Sequence, residues 1–204
     1  RLAPLPLVLP AVVPDGIDDR RTLRWAARSD GRQAFVFVNN YQRIEGLPEH
    51  PATQFRLGLR DGTVILPSQP MCVPAGAWFF WPVNLALDGL PLRHASAQPV
   101  CRLGTPEGSL FVFAAQAGIE VEFAFGPGVL AGVTGVFDRR QAADGLTILS
   151  GLRPGPACLL ELHGTGGQRT RVLTLREEDV PRLYKAEFAG AERLLLSDAA
   201  VFAD

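Results

Sequence analysis

Hydrophobic and polar positions alternate with a period of two along most of this chain, in short runs separated by turn-forming residues. That is the pattern of half-buried strands rather than of amphipathic helices. Leu23 to Arg28 alternates, Ser29-Asp30-Gly31 turns, and Ala34 to Val38 runs apolar, which predicts a hairpin. Gln54 to Arg60 carries Phe55, Leu57 and Leu59 on one face. Asp61-Gly62 then turns the chain into Val64-Ile65-Leu66, a strand expected to end at Pro67. Ala77 to Val83 and Leu92 to Gln98 continue the series. Ser109 to Ala115, Ile119 to Phe125, Val129 to Val136, Leu146 to Leu149, Cys158 to His163 and Arg171 to Leu175 follow after Gly/Pro-rich turns.

One segment reads differently. Glu177 to Phe188 has acids early, Lys185 late and Pro181 in its first turn, which predicts a short helix. Leu194-Leu195-Leu196 then predicts a last buried strand. The expected fold is all-β, an antiparallel β-sandwich built as one or two small β-domains, with one short helix near the C-terminus. Residues 1–21 form an extended lead-in in which Pro4, Pro6, Pro10 and Pro14 forbid a helix. Residues 22–106 form a β-sandwich region, and residues 107–204 a second β-rich region or a continuation of the same domain.

Composition agrees with this. Glycine (21) and proline (17) make up about a fifth of the chain, against roughly 12% ordinarily. Arg1 opens the sequence and Met71 is its only methionine, which predicts a piece of a longer polypeptide. A net charge of −1 predicts no nucleic-acid partner. No apolar run is long enough to predict a membrane span or membrane partner. Cys72, Cys101 and Cys158 are too few for a disulfide framework; buried free thiols are the default, with a Cys72–Cys101 pair left open. The compartment is undetermined.

The sequence offers little catalytic chemistry. Acids lie mostly in turns, and Glu120 and Glu122 alternate with Val121 and Phe123, which puts both on a solvated face. His50, His94 and His163 have no metal-ligand spacing, so no metal and no cofactor are expected. The Asp15 to Asp19 loop reads as an ordinary Asp/Gly turn rather than a calcium site. Gly164-Thr165-Gly166-Gly167 precedes a strand-like run, so it reads as a hairpin turn and not a phosphate loop.

Two segments stand out as candidate contacts, with no catalytic residue among them. In Ala77 to Leu85, Trp78 and Phe80 face one way and Phe79 and Trp81 the other, so the strand needs cover on both sides. Trp81 is expected at the strand's end, before Pro82, with its indole N–H on a carbonyl. Asn39-Asn40-Tyr41-Gln42-Arg43 is either a turn satisfying its own backbone or a loop contacting a partner domain, through Asn39, Asn40, Tyr41 and Arg43. A sugar-stacking role for Trp78 and Trp81 is the competing use of the aromatics.

Leu23 to Gly31 and Phe35-Val36-Phe37-Val38-Asn39-Asn40-Tyr41-Gln42-Arg43 resemble the β-rich region after the catalytic barrel in bacterial β-galactosidases of glycoside hydrolase family 35. Phe79-Phe80-Trp81-Pro82-Val83-Asn84-Leu85 and Ala95-Ser96-Ala97-Gln98-Pro99 resemble the same region further on. The likeness covers residues 5 to 125; the tail, including Ala189-Gly190 and Leu194 to Ser197, is compatible and less distinctive. It implies a retaining glycosidase as parent and a non-catalytic β-sandwich region here, with the catalytic barrel of the same polypeptide as partner. That family keeps its catalytic glutamates on a (β/α)₈ barrel, and no β/α alternation occurs here, so no catalytic residue carries over. The alternative is an autonomous carbohydrate-binding module with galactosides as ligands.

Overall fold

The computed structural model describes residues 5–188 and 190–201. The first four residues of the expected lead-in, Ala189 and residues 202–204 lie outside that set. The strands are β1 (Leu7–Val8), β2 (Trp25–Ser29), β3 (Ala34–Asn39), β4 (His50–Leu59), β5 (Gly62–Val73) and β6 (Trp78–Leu87). They continue as β7 (Leu90–Ala95), β8 (Ala97–Thr105), β9 (Gly108–Ala115), β10 (Phe123–Phe125), β11 (Leu130–Thr134) and β12 (Asp138–Gln141). The last are β13 (Thr147–Ser150), β14 (Leu159–Gly164), β15 (Arg169–Arg176), β16 (Leu183–Phe188) and β17 (Ala191–Leu196). The chain is all-β.

One eight-stranded sheet, in the order β1-β2-β3-β6-β7-β10-β13-β12, runs through the described residues and draws strands from both sides of residue 106. Two layers cover its inner face. The β4–β5 hairpin packs over one half and buries Ala27, Val36, Phe55, Leu66 and Trp81. The five-stranded sheet β11-β14-β15-β9-β8 packs over the other half and buries Leu92, Phe113, Phe123, Phe125 and Leu162. β6 serves both cores. Its inward residues Phe79, Trp81 and Val83 enter the first and Leu85 and Leu87 the second, because a strand shows every other residue to one face. Among the described residues all pairings are antiparallel except β9 with β15.

The turn signals are realised. The β2–β3, β4–β5 and β14–β15 hairpins close at residues 30–33, at Asp61 before Gly62, and at 165–168. Three expectations about the strands change here. β5 runs on past Pro67 to Val73: it pairs only with β4, through a register shift, and the Pro67 carbonyl accepts from Gln54 Nε2 at 2.9 Å. An edge strand with an irregular register tolerates a missing N–H. Leu92 to Gln98 is not one strand, because the chain changes sheets at Ser96, between β7 and β8. Ile119 to Phe125 contributes only the three residues of β10.

The expected helix keeps only its first half, a 3₁₀ turn over Glu177–Arg182 that contains Pro181. Leu183 to Phe188 instead pairs with β17, and this pairing overrides a weak local helix preference. The resulting ribbon leaves Leu195 exposed, so the Leu194 to Leu196 run is not a fully buried strand. The three thiols are free, and only Cys158 is buried. No helix among the described residues is long and apolar enough to cross a membrane.

Candidate functional site

The aromatic segment divides its side chains between core and surface, as its period of two requires. Trp81 is completely buried, stacked on Phe79 with ring centroids 4.3 Å apart and edge-on to Phe55 at 6.1 Å. Its Nε1 has no hydrogen-bond partner, so the expected carbonyl contact is not made. Nor does Trp81 end the strand: β6 continues through Pro82 to Leu87. Phe80 shows why Pro82 is tolerated there. The Phe80 N–H donates to the side chain of Gln98, 3.1 Å away, and amides two residues apart point to the same side. At Pro82 the missing N–H falls on that side, before the ladder to β7 opens at Val83.

Trp78 is 57% exposed on the opposite face. Directly paired residues share a face, so the register places Leu7, Arg28, Phe35 and Pro82 in one row across β1, β2, β3 and β6. Ala26, Phe37 and Phe80 make the next row, and Asn39 and Trp78 the row after. Phe37 and Phe80 stack at 5.6 Å with planes 22° apart. A groove of about 690 Å³ lies over this face, lined by Arg24, Ala26, Phe37, Asn39, Trp78 and Phe80.

The lead-in borders the same sheet and is clamped through its backbone. Arg28 Nη1 and the Ser29 N–H donate to the carbonyls of Leu5 and Pro6, each at 3.0 Å. Arg24 Nη2 donates to the carbonyls of Ile17 and Asp19 at 3.0 and 2.9 Å. Leu7, Val8, Leu9, Val12, Val13 and Ile17 are left exposed. The Asp19 carboxylate is consumed by the N–H groups of Asp15, Arg21 and Thr22. A hydrogen bond from the Thr22 side chain and these amide bonds hold its pKa far below the usual carboxylate range. This loop is a backbone cap, as its Asp/Gly pattern predicts.

The Asn39 to Arg43 loop satisfies part of its own backbone and turns its remaining side chains to the surface. Asn40 is 1% exposed and structural: Nδ2 donates to the carbonyls of Pro48 and Pro74 at 2.8 and 2.9 Å, and its N–H donates to Ala77 O at 2.7 Å. Asn39 Oδ1 accepts from the Tyr41 N–H at 3.1 Å and turns the chain outward. Tyr41, Arg43 and Ile44 then lie exposed. Asn39, Tyr41, Arg43 and Trp78 therefore reach the surface, while Asn40 and Trp81 lie inside.

The least expected cluster centres on Glu122, which is 6% exposed and not on a solvated face. Its Oε1 accepts from the Ser68 N–H at 2.6 Å and from His94 Nε2 at 2.9 Å. Its Oε2 accepts from Ser68 Oγ, and Arg140 Nη2 stands 3.5 Å away while also bonding Ser68 Oγ. Burial opposes ionisation, but the bonds from His94 and Ser68 prevail and hold the Glu122 pKa below its ordinary value. Its own N–H donates to Ser96 Oγ at 2.8 Å, and its carbonyl accepts from the Ser96 N–H at 3.0 Å. Strict alternation fails because Val121, Glu122 and Phe123 are buried in succession where the chain enters β10. No local sequence signal marks this, since Ser68, His94 and Arg140 are all distant along the chain. Glu120, by contrast, is exposed.

No group of three or more His, Cys, Asp or Glu side chains among the described residues could hold a metal ion. No model of a known protein family matches the chain, and no curated protein matches it at a significant level.

Proposed function

We propose that this chain is a non-catalytic β-sandwich region of a β-galactosidase-like glycoside hydrolase, packing on the catalytic barrel of the same polypeptide. The observation that carries the reading is the apolar outer face of β1, β2, β3 and β6, with Trp78 exposed at one end and the clamped apolar lead-in at the other. A preformed apolar face of this kind suits a covering partner, and rigid aromatics make good anchors in such interfaces. The acids support a non-catalytic role. Among the described residues the buried acids are Glu122 and Asp179, and both are held by basic partners within the chain. A retaining glycosidase instead needs two carboxylates facing a common bond.

Exposed Trp78 also favours the second reading, an autonomous module that stacks galactosides on this face. The two are separated by one set of measurements. The pure chain is assayed for aryl-galactoside turnover, titrated with galactose and galacto-oligosaccharides, and mixed with the separately produced barrel of its parent. Expected are no turnover, no saturable sugar binding, and a complex with the barrel that Trp78→Ala weakens by roughly thirtyfold, as loss of a central aromatic anchor does. Arg43→Ala should leave the free chain unchanged and loosen the complex. Sugar binding lost in a folded Trp78→Ala variant would transfer the case to the binding module. Turnover abolished by changing one acid would end both readings.

A further inference from the structure

We infer that the Glu122 carboxylate is an acid-sensitive clasp that holds the β4–β5 hairpin against the long sheet, so that one protonation event releases the hairpin before the rest of the fold. The clasp joins two separate parts of the molecule. Ser68 lies on β5, whose Val64, Leu66 and Val73 cover the core containing Trp81. His94 lies on β7, Arg140 on β12 and Ser96 at the β7–β8 junction, all in or beside the half of the long sheet that forms the other core. Among the described residues the β4–β5 hairpin pairs with no other strand. Apart from the Arg60 N–H, which donates to the Gly31 carbonyl at 2.7 Å at the hairpin's tip, its attachment to the sheet rests largely on side chains, and the Glu122–Ser68 bonds join it to the opposite half of the fold.

The chemistry of the cluster is one-sided. Ser68 offers an N–H and an O–H, His94 an Nε2–H and Arg140 a guanidinium, so the carboxylate faces donors, which only its ionised form can satisfy throughout. A protonated carboxyl would set a donor among donors, buried and facing the Arg140 cation. Among the described residues the titratable or charged groups that bond it are His94 on β7 and Arg140 on β12; β5 contributes Ser68, the junction Ser96, and β13 (Thr147–Ser150) carries no charge. The sign follows from the geometry. A carboxylate stabilised in the closed state favours closure above its free pKa, and that advantage disappears as pH falls through the lowered value. Between those two values, release of the hairpin should take up one proton.

The test is amide hydrogen exchange on the full chain, corrected for intrinsic exchange, from about pH 6 to about pH 2.5, which spans the ordinary carboxylate range. Amides of β4–β5 are compared with those of β14–β15. In the wild type the hairpin opening constant should rise by up to about tenfold per pH unit below the ordinary carboxylate pKa, ahead of β14–β15. Glu122→Gln should raise opening at neutral pH and flatten this slope. Ser68→Ala, which keeps the carboxylate and His94, should raise opening by about tenfold at neutral pH, as loss of one charge-assisted bond does, and keep the slope. Hairpin and sheet opening in step in the wild type would overturn the inference. So would a Glu122→Gln protein that retains the slope, or a Ser68→Ala protein with unchanged opening.

Discussion

Trp81 gives the most direct test of how the core around β6 is held, because two substitutions there should differ sharply. The ring is wholly buried, stacks on Phe79 and meets Phe55 edge-on. Trp81→Ala removes all of this. Large-to-small changes at buried aromatics cost about 3–5 kcal/mol, and two aromatic contacts worth about 0.5–1.5 kcal/mol each place this site near the top of that range. Trp81→Phe keeps one six-membered ring on Phe79 and loses about three ring atoms of burial, roughly 2 kcal/mol at the usual transfer value. It also removes the unpartnered indole N–H, whose burial costs about 1–3 kcal/mol. The two terms nearly cancel, so Trp81→Phe should change stability by no more than about 1 kcal/mol. Urea unfolding followed by circular dichroism, with equal m-values checked across the three proteins, measures both changes. A phenylalanine variant destabilised by about 2 kcal/mol or more would refute the reasoning, because it would mean that the N–H carries no penalty.

Asn40→Ala should cost about 2–4 kcal/mol in the same assay, since it deletes two hydrogen bonds and strands the carbonyls of Pro48 and Pro74; proteolysis should then cut first between 40 and 48. Gly108→Ala should destabilise by at least about 2 kcal/mol, because a Cβ there would sit 2.6 Å from Arg169 O at a φ of +116°; thermal unfolding checks this. Asp19→Ala should leave global stability nearly unchanged but speed exchange at the Arg21 and Thr22 amides, readable by NMR.

The sequence by itself determined the local grammar of this protein. Asp61-Gly62 and the Gly164 to Gly167 run mark turns because their residues accept the backbone geometry whatever surrounds them, and both close hairpins in the structure. The alternation in Trp78 to Trp81 likewise settled which rings share a face, though not which face the core would take. Of the candidate contacts, Asn39, Tyr41, Arg43 and Trp78 were placed at the surface by folding. Asn40 lies inside, because its role depends on the carbonyls of Pro48 and Pro74, brought to it only by folding. Tertiary structure alone decided the rest. Leu183 to Phe188 became a strand because β17 offered it a ladder, and β6 entered two cores because different layers cover its two halves. Glu122 shows the limit most clearly. Its sequence neighbours place it on a solvated face, yet donors 54, 28 and 18 residues away surround its carboxylate once the sheets close. Periodicity reports which way a side chain would point on a regular strand; only the packed fold determines whether the strand is regular there and what it points into.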